Sequence, residues 1–134
     1  MDNKGTIAYI GAFELPDKNA AAHRVVNNSK IFKALGYNTV FFGITKDDCA
    51  SKKVYDFGID YAQIYPRSAK MWMKRLFDVS CYEEVLNKID DLKLVILYDV
   101  QYATLIKMRK YCTRRKILII ADQTEWKDEK ISKH

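Results

Sequence analysis

Thr6-Ile7-Ala8-Tyr9-Ile10-Gly11, then the loop Ala12-Phe13-Glu14-Leu15-Pro16-Asp17-Lys18-Asn19, then a helical stretch to Leu35, then Asn38-Thr39-Val40-Phe41-Phe42: this order decides the fold. The first run is continuously apolar, as in a strand covered on both faces, where a half-exposed strand would alternate. Gly11 ends it, Pro16 and Asp17 suit a turn, Asn19 is an N-cap and Ala20-Ala21-Ala22 starts a helix. Ala21, Val25, Phe32 and Leu35 recur at helical spacing and are expected to face the sheet. Gly36 closes the helix in a left-handed cap before the next strand. Strand, loop, helix and parallel strand place a loop at the carboxyl end of a strand and at a helix N-terminus. Open α/β sheets bind ligands there, because free N–H groups and the positive helix dipole meet.

The rest of the chain continues in the same style. Thr45 to Pro66 is polar and reads as a loop-rich excursion with one short strand at Tyr61 to Ile64. Ser68 to Phe77 reads as a helix, and Tyr82, Val85, Leu86 and Ile89 form a helical stripe ending near Asp90. Leu94 to Tyr98 is a strand, Tyr102 to Cys112 a helix and Lys116 to Ala121 a buried strand. Alternation of this kind implies a Rossmann-like three-layer α/β/α fold with a mainly parallel sheet and helices on both faces. Its strand ends gather Gly11 to Glu14, Tyr98-Asp99 and Asp122 to Trp126 on one edge.

Composition narrows the class. The 134 residues, 49% hydrophobic and 30% charged, match a soluble globular domain and argue against disorder. No apolar run is long enough for a membrane span or a secretory signal, so a cytoplasmic location is expected. Cys49, Cys81 and Cys112 lack both disulfide-framework and zinc-site spacing, and no metal is expected. The net charge of +6 suits an anionic partner, whose kind depends on where the bases lie.

Asp122-Gln123-Thr124-Glu125-Trp126 follows directly on a strand. Two carboxylates, a hydroxyl and an indole can bind sugar hydroxyls and stack on the ring; alternatively Asp122 and Thr124 cap a following helix and Trp126 packs in a groove. A dinucleotide-binding oxidoreductase would need Gly-x-Gly-x-x-Gly after the first strand, where only Gly11 stands. A receiver domain would need an acidic pair there, which Gly11-Ala12-Phe13 does not supply. A nucleic-acid binder would need a recognition motif, and none occurs.

Tyr9-Ile10-Gly11 running to Asn19-Ala20-Ala21-Ala22-His23-Arg24-Val25, Lys33-Ala34-Leu35-Gly36-Tyr37 before the second strand, and Ala121 to Trp126 together resemble the N-terminal half of a GT-B glycosyltransferase. The similarity is to the family 4 enzymes of bacterial surface polysaccharide synthesis. It implies that residues 1–134 form one Rossmann-like domain on the acceptor side of a two-domain cleft. A C-terminal domain absent from this chain would bind the nucleotide sugar, so the chain alone would be an incomplete catalyst. The acceptor would be a glycan or a lipid-linked sugar, and no cofactor is expected in this chain. The resemblance brings forward Phe13, Asn19, His23 and Arg24 around the first loop, with Asp99, Asp122, Glu125 and Trp126 at the later strand ends, as binding or orienting groups. Arg24 could hold an acceptor phosphate or pair with Glu14 or Asp17, and Asp99 could instead cap the following helix. The leading alternative is a stand-alone flavodoxin-like ligand-binding or signalling module.

Arg67, Lys70 and Lys74 recur at spacings of three and four beside Met71, Trp72 and Met73. A basic and apolar surface helix suits peripheral attachment to an anionic membrane face, and a helix packed inside the domain with solvated lysines is the other reading.

Overall fold

A computed structural model describes residues 3–123. Its elements are β1 (Gly5–Gly11), α1 (Ala20–Ala34), β2 (Tyr37–Phe42), β3 (Ile44–Thr45), β4 (Ser51–Tyr55), β5 (Gly58–Ile64), α2 (Ala69–Phe77), α3 (Ser80–Leu86), β6 (Leu92–Tyr98), α4 (Tyr102–Arg115) and β7 (Leu118–Asp122). The strands form one sheet in the order β3-β5-β2-β1-β6-β7, with β4 antiparallel on β5 and every other pairing parallel. This is the expected α/β fold with a mainly parallel sheet.

β1 is buried along its whole length because both of its faces are covered. On one face Ile7, Tyr9 and Ile96 pack with Val25 and Val26 of α1; on the other Ala8, Ile10 and Val95 pack with Tyr82 and Leu86 of α3 and Met108 and Cys112 of α4. Cys112 is core filler, and burial pushes its thiol up to about 11. Asn19 caps α1 as expected, accepting from the Ala22 N–H at 2.9 Å, and Ser68 caps α2 through a 3.2 Å bond from the Met71 N–H. Gly36, at φ 100°, follows the end of α1.

Four expectations are corrected. Residues 45–66 are not mainly loop: β4 and β5 form a hairpin there, turning through Asp56 and Phe57, and β3 adds a short parallel contact. Its polar text conceals strands because it lies at the sheet's margin, where one side of each strand meets water. α3 stops at Leu86, with Ile89 packed on the core from the turn beyond it. Leu35 faces solvent, since it is the cap residue past the last turn of α1. β7 is not a buried strand: Leu118 is 65% and Ile120 45% exposed, because no described helix covers that end of the α1 face.

Asp60 is a buried carboxylate on β5, opposite Lys53 and bonded by the Gly43 N–H at 3.2 Å. Burial pushes its pKa up to about 6, against the opposing pull of that N–H and of the Lys53 charge. The folded state therefore holds this proton more tightly than the unfolded chain does. Stability from this group is greatest below about pH 4 and falls as pH rises to about 6, by on the order of 3 kcal/mol for a two-unit shift. Urea titrations across this interval should show that fall for the natural chain, and Asp60→Asn, which keeps an acceptor for Gly43, should flatten it.

Candidate functional site

The chain passes from β1 to β2 on one side and later returns to β6 on the other, so the sheet's topological switch lies between β1 and β6. At their carboxyl ends the loops diverge and leave a crevice, the favoured ligand position of open α/β sheets. Gly11 and Ala12 form its floor, Asp99 and Gln101 one rim, and Trp72, Arg75 and Leu76 of α2 the other, with Tyr82 and Thr104 inside; the cavity is about 90 Å³. Gly11 has to be glycine, since a Cβ there would lie 2.7 Å from the Tyr98 carbonyl oxygen. Burial pushes the Tyr82 phenol up, and the Arg75 charge partly opposes that. Asp99 adopts a left-handed backbone at φ 50°, which Asp tolerates better than most residues, and its N–H donates to the Asp122 carbonyl at 3.0 Å. That bond ties the end of β6 to the end of β7. Gln101 occupies the N-cap position of α4, two residues beyond Asp99.

The loop after β1 is folded back on the core. Phe13 is fully buried and packs edge-on against Tyr9 at 6.0 Å and Phe41 at 6.1 Å. Its expected place on the acceptor surface is therefore corrected: the ring anchors the loop from beneath, where the apolar core gains more from it than a polar cleft would. Asn19 is likewise occupied, accepting from the Glu14 N–H at 3.3 Å as well as from Ala22 and donating to the Ala12 carbonyl at 3.4 Å. Glu14 is buried and accepts from the Lys46 N–H at 3.1 Å, which joins this loop to the end of β3.

Arg24 and Asp122 do meet, although Asp122 is not one of the partners weighed from the sequence. The guanidinium lies 3.3 and 3.4 Å from the two carboxylate oxygens and 5.9 Å from the Tyr98 ring centre. Asp122 also lines an open groove of about 330 Å³ on the α1 face, whose wall includes Tyr9 and Asn28, joined by a 3.0 Å bond. His23 is exposed in the first turn of α1. Glu125 and Trp126 lie outside the described residues. The larger hollow of about 370 Å³ lies at the opposite, amino-terminal edge of the sheet, around Asn38 and Gly58, where Lys33 in the last turn of α1 lines it.

Arg67 precedes α2 and is held by the Lys46 and Asp47 carbonyls at 3.1 Å and by Asp48 at 3.4 Å, so it belongs to the loop network and not to a free basic stripe. Trp72 stands edge-on to Tyr65 at 5.6 Å and walls the crevice; Lys70, Met71 and Lys74 are exposed. Arg75, Tyr82, Gln101 and Thr104 were not singled out as site residues. Arg75 is one more base on a basic helix, and Tyr82 is a stripe residue whose ring happens to end at a cavity. Among the described residues no three metal-ligating side chains gather, and no helix is long and apolar enough to cross a membrane. Compared with protein-family models, with curated proteins and with solved structures, the chain matches none.

Asn19→Ala removes the cap of α1 together with two further bonds that hold the loop. It should lower the unfolding free energy by about 1–2 kcal/mol. Hydrogen exchange should rise at residues 12–22 while the protection of β6 is unchanged.

Proposed function

We propose that this chain is the acceptor-holding domain of a sugar-transferring enzyme, in which a nucleotide sugar is bound by a separate C-terminal domain and its sugar passes to a glycan or lipid-linked acceptor. The observation that supports this reading is the composition of the switch-point crevice. An indole face at Trp72, a planar guanidinium at Arg75, a carboxylate at Asp99 and an amide at Gln101 converge there. Aromatic faces pack on the apolar side of a sugar ring, while carboxylate, amide and guanidinium groups read its hydroxyls.

The size of the crevice supports the division of labour. About 90 Å³ takes one edge of a terminal sugar, whereas sites for drug-sized and larger ligands run from roughly 300 to 1,000 Å³. The crevice itself is too small for a nucleotide sugar. Asp99 orients an acceptor hydroxyl, Arg75 draws any phosphate near the sugar, and the Arg24–Asp122 pair sets the neighbouring edge. Such a domain works at the cytoplasmic side of a membrane, where nucleotide sugars are supplied, and has no nucleic-acid partner.

Two titrations test the reading. The chain alone should give no micromolar heat signal with UDP- or GDP-sugars. It should show selective amide shifts around Gly11, Arg75 and Asp99 with short glycans or sugar phosphates. Trp72→Ala and Arg75→Ala should each weaken those shifts by about tenfold or more while leaving the spectrum of the core intact. Tight binding of a free nucleotide sugar, or acceptor shifts confined to the opposite edge of the sheet, would refute the assignment.

A further inference from the structure

α2 and α4 lie side by side on the face of the sheet opposite α1, joined by a 3.1 Å bond from the Thr104 hydroxyl to the Leu76 carbonyl and by a bond from the Lys107 ammonium to the Phe77 carbonyl. Neither helix contains an acidic residue. Lys70 and Lys74 on α2 and Lys107, Arg109, Lys110 and Arg114 on α4 are exposed, and with Arg75 and Arg115 the two helices carry eight bases and no acid, in a chain whose net charge is +6. On α2 the positions 70, 73, 74 and 77 share one face, so Lys70 and Lys74 flank an apolar ridge of Met73, 55% exposed, and Phe77, 47% exposed. Arg67 takes no part.

We propose that this two-helix face docks on an anionic lipid bilayer, the bases meeting the headgroups and Met73 and Phe77 entering the interface. Charge complementarity selects an acidic surface, and the ridge selects a membrane over a nucleic acid. A phosphodiester backbone offers nothing apolar to a methionine and phenylalanine one helical turn apart, whereas the headgroup boundary takes both while lysine stems reach past them to the phosphates. The opposite edge of α2 carries Trp72 and Arg75, so docking sets the switch-point crevice within about one helix diameter, roughly 10 Å, of the headgroups. The docking stands apart from the sugar-transfer reading. Where that reading also holds, it makes the acceptor one carried on a lipid.

Sedimentation of the full chain with vesicles of phosphatidylcholine alone, and of phosphatidylcholine mixed equally with phosphatidylglycerol, tests it at low salt. Binding is expected only to the second. Lys70→Glu with Lys74→Glu, and separately Arg109→Glu with Lys110→Glu, should each lower the partition coefficient by about tenfold or more, with unchanged circular dichroism. Should a reversal variant fail to fold, Lys74→Gln with Lys110→Gln serves in its place, with a smaller loss expected. Met73→Ser with Phe77→Ser should abolish whatever binding survives at 1 M salt, where screening acts beyond about 3 Å. Failure to bind acidic vesicles overturns the proposal, as does full binding by both folded reversal variants. Tighter binding to a duplex DNA or single-stranded RNA oligonucleotide through the same bases also overturns it and assigns the face to nucleic acid. Glycan titration reads the crevice independently, so loss of one result leaves the other standing.

Discussion

Complete burial of β1 is the constraint from which the rest of the architecture follows. A strand buried at every residue must be paired on both edges and covered on both faces, or its backbone and its side chains meet water. β2 and β6 supply the edges, α1 one face, and α3 with α4 the other. Because β2 and β6 are filled from chain segments that leave β1 in opposite directions, the loops at its carboxyl end must part. The crevice is a consequence of that parting, and Gly11 lets the backbones of β1 and β6 close beneath it without a side chain in the way.

The two walls of the crevice are built differently. The β1 loop is anchored by Phe13 in the core, by Asn19 at three backbone groups and by Glu14 at the end of β3. α2, by contrast, buries no residue completely and is attached through Trp72, Leu76 and a few bonds to neighbouring carbonyls. Local opening is easiest where buried contacts are few, so α2 is the wall that can adjust to a ligand. A fixed floor with one adjustable wall suits the capture of a terminal group on a larger molecule.

Charge is distributed along the same division. On the α1 side, Arg24 and Asp122 neutralise one another, and on β5 burial raises the Asp60 carboxyl to about 6, against the pull of the Gly43 N–H and of Lys53. On the α2–α4 side eight bases stand on helices that hold no acid, and the carboxylate of Asp78 at the end of α2 faces Lys74 and Lys107. An even spread of the same residues would leave a field too weak to orient the molecule, whereas their concentration on one face gives it a preferred side towards an acidic surface.

Local chemistry was enough to specify the elements whose apolar pattern is unbroken. β1, β2, β6 and both long helices were legible from Ile7 to Ile10, Val40 to Phe42 and Leu94 to Tyr98, from the Asn19 cap and from Gly36, because burial on both faces or along one stripe writes its period into adjacent residues. So was the gathering of Gly11, Asp99 and Asp122 on one edge, since parallel strands must end together. The β4–β5 hairpin was not legible, because a marginal strand needs only alternate half-burial and Lys52-Lys53 reads as loop. Nor was the inward turn of Phe13, or the choice of Asp122 as the partner of Arg24, or the entry of Arg75 and Tyr82 into the crevice. Each of these depends on which side chains from distant parts of the chain reach the same few ångströms, and periodicity along the sequence carries no record of that distance.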